Sequence, residues 1–165
     1  MVILSDQVLP STLINNFSKE YYLKLPPSFY KEARSYLSYK ELKKIQKAYT
    51  FAFYSHDGQL RQDGSKYITH PVKVAQILLD LRMDPDTICA ALMHDVLEDC
   101  DVNKQNLKKL FGHDVAEIVD GVSKLGKLDI TPKKENDANN LQKMMLAMSK
   151  DVRVILVKIC DRLHN

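Results

Sequence analysis

Apolar residues recur along this chain at three- and four-residue intervals, and the two-residue alternation of strands is rare. Pro26-Pro27-Ser28 punctuates before a short helix from about Phe29 to Leu37. Ser38-Tyr39-Lys40-Glu41 then forms a capping box, in which the Ser caps the first turn and the Glu reaches back to the cap. The helix it opens carries Leu42, Ile45, Tyr49 and Ala52 on one face, with His56 on the same face and Gly58 ending it. A polar loop, Gly58 to Thr69, separates it from a helix opened by Pro71, with Val74, Ile77, Leu78 and Leu81 inward. Asp84-Pro85 repeats the device and starts a helix from about Pro85 to Glu98, with Ile88, Ala91 and Leu92 inward. Asn103 caps another that ends at Phe111-Gly112, and Asp114 opens the next, with Val115, Ile118, Val119 and Val122 facing the core. Gly126 to Lys134 reads as a loop. A Met-rich helix follows from about Asp137 to Ser149, its methionines filling core. Asp151 caps a last helix. The run Val152–Val157 also fits a buried strand, and helix is preferred because everything around it is helical. The pattern predicts an all-α fold. Residues 1–25 yield no readable element and are set apart from a domain spanning 26–165.

At 165 residues the chain suits one domain with a real core, needing no disulfide or structural metal to fold. Lys plus Arg number 24 and Asp plus Glu 21. A net charge of +3, dispersed in doublets such as Lys43-Lys44 and Lys108-Lys109, gives no footprint for direct DNA binding. No stretch approaches the roughly 18 apolar residues of a membrane span. The first residues lack the basic start and long apolar run of a secretory signal. Three cysteines without CxxC spacing suit free thiols in a reducing cytoplasm.

Polar residues interrupt the core pattern at one place above all. His94 and Asp95 sit inside Ala90-Ala91-Leu92-Met93…Val96-Leu97, with Glu98 and Asp99 four residues beyond them. On a continuous helix this makes two parallel polar rows, His94/Glu98 and Asp95/Asp99. Three carboxylates and an imidazole at one helix end repel unless a cation joins them, and either a divalent metal or Arg and Lys partners would serve. A solvated helix end with a capped His is the plain alternative. His56 and His70 are further candidates, and the last segment offers Asp151, Asp161 and His164, among which spacing does not choose. A His and carboxylate set without cysteine suits Mn²⁺, Fe, Zn²⁺ or Mg²⁺ in a catalytic site. No nucleophile elbow, P-loop, dinucleotide fingerprint or zincin motif is present.

Ser55-His56-Asp57-Gly58-Gln59-Leu60-Arg61, Tyr67-Ile68-Thr69-His70-Pro71 and His94-Asp95-Val96-Leu97-Glu98-Asp99 resemble the ordered motifs of HD-superfamily hydrolases. Phe111-Gly112, Val119-Asp120-Gly121-Val122-Ser123-Lys124-Leu125, the run from Asp151 to Lys158 and Asp161-Arg162-Leu163-His164-Asn165 narrow the resemblance. Together they are similar to the N-terminal hydrolase domain of the RelA/SpoT-type (p)ppGpp synthetase/hydrolases, strongly from about Tyr49 to Asn165. The resemblance implies an HD-type helical bundle with one Mn²⁺ on His70, His94, Asp95 and Asp161. It places the catalytic carboxylate pair on Glu98 and Asp99. It places substrate contacts on Arg61, its neighbour Gln62, and Asn165. His56 would be a supporting histidine rather than a ligand. The reaction implied is removal of the 3′-diphosphate of ppGpp or pppGpp, giving GDP or GTP and pyrophosphate, in the stringent response. Synthetase-dominant members lack the His-Asp and Glu-Asp pairs, and here His94-Asp95 and Glu98-Asp99 are both present.

The chain departs from the family at Gln62 and Asp63, where a Lys or small residue and then Ser are usual. An acidic Asp63 is expected to repel a polyanionic substrate. The resemblance also implies further helices after Asn165, then synthetase and regulatory domains. Asp161 and Asn165 are therefore expected in a fraying last turn, with weak metal binding and slow turnover in this piece. Two other functions stay open on sequence: a related HD nucleotide phosphohydrolase with another substrate, and a regulatory module that binds nucleotide without turnover.

Overall fold

The structure, a computed structural model, describes residues 22–126 and 150–165. Among these the elements are helical: α1 (Pro27–Arg34), α2 (Tyr39–Ser55), α3 (Thr69–Asp80), α4 (Pro85–Leu92), α5 (Val96–Asp99), α6 (Lys104–Phe111), α7 (His113–Gly126) and α8 (Val152–His164). A single antiparallel bridge, Leu60 with Lys66, is the sole strand-like pairing described. The run Val152–Val157 is helical, capped by the Asp151 carboxylate on the Arg153 N–H. The Met-rich helix expected at Asp137–Ser149 and the loop to Lys134 lie outside the described residues.

The bundle is arranged around α4. Its side chains from Thr87 to Leu92 are all buried, which requires partners on every side. Helices α2, α3, α7 and α8 supply them. Two alanines, Ala90 and Ala91, keep α4 thin enough for this crowding. Asp84 starts it as anticipated, its carboxylate accepting the Asp86 and Thr87 N–H groups ahead of Pro85. The caps expected at Ser38 and Asn103 also form, whereas the helix expected to open at Asp114 begins at His113, with Asp114 in its first turn. Ser38 and Glu41 make the reciprocal box of α2, and Asn103 with Asn106 makes a second for α6. Phe51 of α2 meets Phe111 of α6 edge to face at 5.4 Å between ring centres and closes the core at that end.

Several boundaries differ from the sequence reading, and one matters chemically. The helix expected over Pro85–Glu98 stops at Leu92. Residues 93–95 form a turn, and the short α5 follows. The ladder tightens here to three-residue bonds, Met93 N–H to Ala90 O and Val96 N–H to Met93 O, while the His94 ring takes the Ala91 carbonyl at 2.8 Å. A side chain that claims a backbone acceptor competes with the helix. The two parallel polar rows therefore do not exist as drawn. Helix α3 begins at Thr69, so His70 lies inside its first turn and Pro71 follows, where the missing N–H still has no intrahelical role. Leu81, expected inward, is exposed because α3 ends at Asp80 and the chain reverses through Arg82 at φ +53°. Helix α1 ends at Arg34 rather than Leu37.

Gly121 sets the spacing that brings the end of α8 to the site. A Cβ there would lie 2.8 Å from a methyl carbon of Val154 on α8. Gly121→Ala gains about 1 kcal/mol of helix propensity but overpacks a filled seam at about 1–3 kcal/mol. The variant is expected to melt below the parent, and the loss should shrink in a Val154→Ala background. A raised melting temperature for the single variant contradicts this packing.

Candidate metal centre and the loop beside it

Two helices and one turn deliver the polar side chains to one point. His70 comes from the first turn of α3, His94 and Asp95 from the turn after α4, and Asp161 from α8. His70, His94 and Asp161 are each less than 7% exposed. Their ligand atoms lie within 4.8 Å of one another. Asp161 Oδ1 stands 3.1 Å from His70 Nε2 and 3.6 Å from His94 Nε2. Asp95 Oδ2 stands 3.1 Å from His94 Nε2 and 3.8 Å from His70 Nε2.

The His94 ring is oriented by its far side. Nδ1 faces the Ala91 carbonyl, which only accepts, so Nδ1 carries the hydrogen. With Nδ1 so engaged, loss of the second ring proton leaves the lone pair of Nε2 aimed into the cluster. That nitrogen is buried and has no partner with hydrogen-bond geometry, although two carboxylate oxygens are close. A buried polar atom left without a partner is destabilising by about 1–3 kcal/mol. A divalent cation satisfies it, and the donor set of two imidazole nitrogens and two carboxylates fits such an ion.

Electrostatics in the ion-free cluster follow from the same contacts. Burial pushes the His94 pKa down, but the Asp161 and Asp95 carboxylates outweigh it and lift the pKa to about 10. Burial opposes ionisation of Asp161, yet His70, His94 and Lys158 hold its pKa well below the usual carboxylate range. Lys158 reaches Asp161 Oδ2 at 2.8 Å, so the lysine also neutralises part of this charge. Of the alternatives left open in the C-terminal segment, Asp151 is elsewhere: it caps α8 and pairs with Arg153, which also meets Asp84.

Around this point the structure adds residues that sequence reasoning did not assign. The Tyr67 hydroxyl lies 2.6 Å from Asp95 Oδ2 and 3.2 Å from Asp99 Oδ2, linking the two acidic pairs. Its ring stacks on His56 at 4.5 Å. His56, buried as expected, bonds Gln59 Oε1 at 2.8 Å, and Gln59 in turn donates to the Asp99 carbonyl at 3.1 Å. Tyr67 lies in the motif Tyr67-Ile68-Thr69-His70-Pro71, but its spacing does not show what its hydroxyl meets. His164 lies with its Nδ1 2.8 Å from Nδ1 of His70.

Glu98 and Asp99 are exposed at the rim, carried there by α5. Partial burial, then the Asp95 charge, raise the Glu98 pKa, while Lys158 and Ser123 oppose the shift. Arg61 donates to Asn165 Oδ1 at 3.4 Å, and Asn165 Nδ2 donates to Asp161 Oδ1 at 2.7 Å. Gln62 stands exposed in the same loop. The expected fraying of the last turn is countered by these bonds and by the Asn165 N–H on the Asp161 carbonyl at 3.0 Å. Asp63 accepts both the Ser65 N–H at 2.9 Å and the Ser65 hydroxyl at 2.6 Å. Its carboxylate thus closes the turn that Gly64, at φ +81°, completes.

The HD domain family profile matches residues 48–165. The chain is 50% identical over 133 residues to the guanosine-3′,5′-bis(diphosphate) 3′-pyrophosphohydrolase of Vibrio cholerae serotype O1, covering 81% of this chain and 19% of that protein. It is 49% identical over 132 residues to the bifunctional (p)ppGpp synthase/hydrolase SpoT of Escherichia coli K12, covering 80% and 19%. The chain therefore spans about a fifth of the length of these curated relatives. Among solved structures it is similar to a metazoan ortholog of SpoT, described as hydrolyzing ppGpp and playing a role in starvation responses. The TM-score is 0.55 at 29% identity, over 79% of this chain and 70% of that one.

A raised His94 pKa means that the ion-free site holds a proton at pH 7.5, which a cation must displace. Binding of Mn²⁺ is expected to release protons and to tighten as pH rises toward about 10. The proton-linked share of folding stability in the ion-free chain runs the opposite way: it is present below the unfolded His value, about 6.5, and lost as pH climbs through about 10. Titration calorimetry in two buffers of different ionisation enthalpy measures the release. Identical heats in both contradict it.

Proposed function

Because the chain belongs to the HD domain family, we propose that residues 26–165 act as a metal-dependent hydrolase that removes the 3′-diphosphate of ppGpp or pppGpp. The observation that carries this reading is the buried His94 Nε2, left without a partner among His70, Asp95 and Asp161. The similarity to pyrophosphohydrolases supports the choice of substrate. In this reading His70, His94, Asp95 and Asp161 hold one Mn²⁺. The bound cation supplies Lewis acidity and neutralises phosphate charge.

The remaining residues have distinct tasks. Glu98, its pKa raised by partial burial and by Asp95, is the base that takes a proton from the attacking water. Asp99, tethered by Tyr67, orients that water. Arg61 and Gln62 meet the nucleotide's phosphates, and Asn165 bridges Arg61 to the Asp161 carboxylate. Water is consumed, the ribose 3′-hydroxyl is regenerated and pyrophosphate leaves with GDP or GTP as the other product. Such a nucleotide substrate assigns the work to the cytoplasm, and no described helix is long and apolar enough to cross a membrane. Synthetase and regulatory domains of a longer protein are the proposed partners in cis, in line with the greater length of the relatives.

The test is to incubate the chain with ppGpp and Mn²⁺ and to assay pyrophosphate and GDP. Both products are expected in equal amounts, with none from His94→Ala. Glu98→Gln should retain Mn²⁺ and lose about 10²–10⁴-fold in rate. Nucleotide binding without turnover contradicts the proposal and favours a regulatory module. Turnover of other nucleotides with ppGpp untouched favours a different phosphohydrolase.

A further inference from the structure

Resting on the metal-centre reading above, we propose that His164 is a positioning residue that fixes the tautomer and orientation of His70 for cation binding. A histidine can offer a lone pair at Nε2 only if its neutral ring carries the hydrogen on Nδ1. For His94 that hydrogen is assigned by a backbone carbonyl. For His70 the group at Nδ1 is another imidazole, with the two Nδ1 atoms 2.8 Å apart and ring centres 5.0 Å apart. Two nitrogens at that distance share one hydrogen. If His70 donates it, His164 accepts with its own hydrogen on Nε2, and His70 Nε2 is free to face Asp161 and Asp95. A half-buried histidine in the last turn of α8 therefore does for His70 what the Ala91 carbonyl does for His94.

The placement has a mechanical side. His164 follows Asp161 by three residues, so both stand on one face of the last turn of α8. That turn provides one ligand, Asp161, and holds a second, His70, from behind. A shift of α8 then alters two of the four candidate ligands together. Outer partners of metal-bound histidines typically contribute about 10–100-fold in metal affinity.

Two substitutions separate the hydrogen-bond role from mere bulk. His164→Asn keeps an acceptor oxygen at the δ position, whereas His164→Leu places a carbon there. Mn²⁺ affinity is measured by titration calorimetry on the whole chain, beside His70→Ala, with ion-free melting curves as the folding control. The expected result is binding abolished in His70→Ala, weakened about 10–100-fold in His164→Leu, and restored to near the parent value in His164→Asn, with similar ion-free melting for the two His164 variants. Parent-like affinity in His164→Leu, with binding lost in His70→Ala, overturns this inference and leaves the metal centre standing. Equal weakening in the Asn and Leu variants also overturns it, because volume and not the acceptor then matters. Parent-like affinity in His70→Ala removes the metal-centre reading itself. Should the Leu chain fail to fold, His164→Ala takes its place against His164→Asn.

Discussion

Asp95 and Asp161 bring two carboxylates against two imidazoles beside a helix whose side chains are buried on all sides. Charges in such a place are tolerated only when paired, protonated or bound to a cation. The chain meets this demand with directed contacts. The Ala91 carbonyl, Lys158 and His164 each hold one ligand-type side chain from its far side, and the Tyr67 hydroxyl and Asn165 bond the carboxylate oxygens that face the histidines. What stays unmet is a single atom, His94 Nε2. The fold leaves its coordinating power there because every other polar atom of that ring is already engaged.

The architecture around the cluster follows from that requirement. A thin α4, buried from Thr87 to Leu92, lets α2, α3, α7 and α8 approach closely, and its abrupt end at Leu92 turns His94 and Asp95 toward the starts and ends of its neighbours. Gly121 allows α8 to lie against α7, so that Asp161 is reached from the opposite side of the bundle. The short α5 then carries Glu98 and Asp99 out to the rim, where a water and a charged substrate have access. Three of the four proposed ligands, His70, His94 and Asp161, are buried, while the proposed acid–base groups Glu98 and Asp99 are exposed. That division suits a phosphoester hydrolase, in which the cation must be fixed and the nucleotide must come and go.

Much of this was legible in the sequence. The helices with strong periodicity and caps, α2, α4, α6 and α8, stand where Ser38, Asp84, Asn103 and Asp151 announced them. The ligand-type residues His70, His94, Asp95 and Asp161, indicated by motif resemblance, do converge. The break after Leu92 was not legible, because no Gly or Pro marks it. It arises from a side-chain bond to the Ala91 carbonyl and from three-residue backbone bonds that periodicity does not register. The partners of Tyr67 and His164 were equally hidden. Their hydroxyl and ring meet residues 28 and 94 positions away in the chain, and only packing creates such contacts. Asp63, singled out for its charge, also accepts two bonds from Ser65 within its own loop, a contact that spacing does not register.

In the proposed function one divalent cation sits among His70, His94, Asp95 and Asp161. Anomalous diffraction at the manganese edge, from crystals of this chain soaked in Mn²⁺, tests it without reference to turnover. One dominant peak is expected, bonded by Nε2 of His70 and of His94 and by carboxylate oxygens of Asp95 and Asp161. A dominant peak at any other group of carboxylates, or none within reach of His94 Nε2, contradicts it.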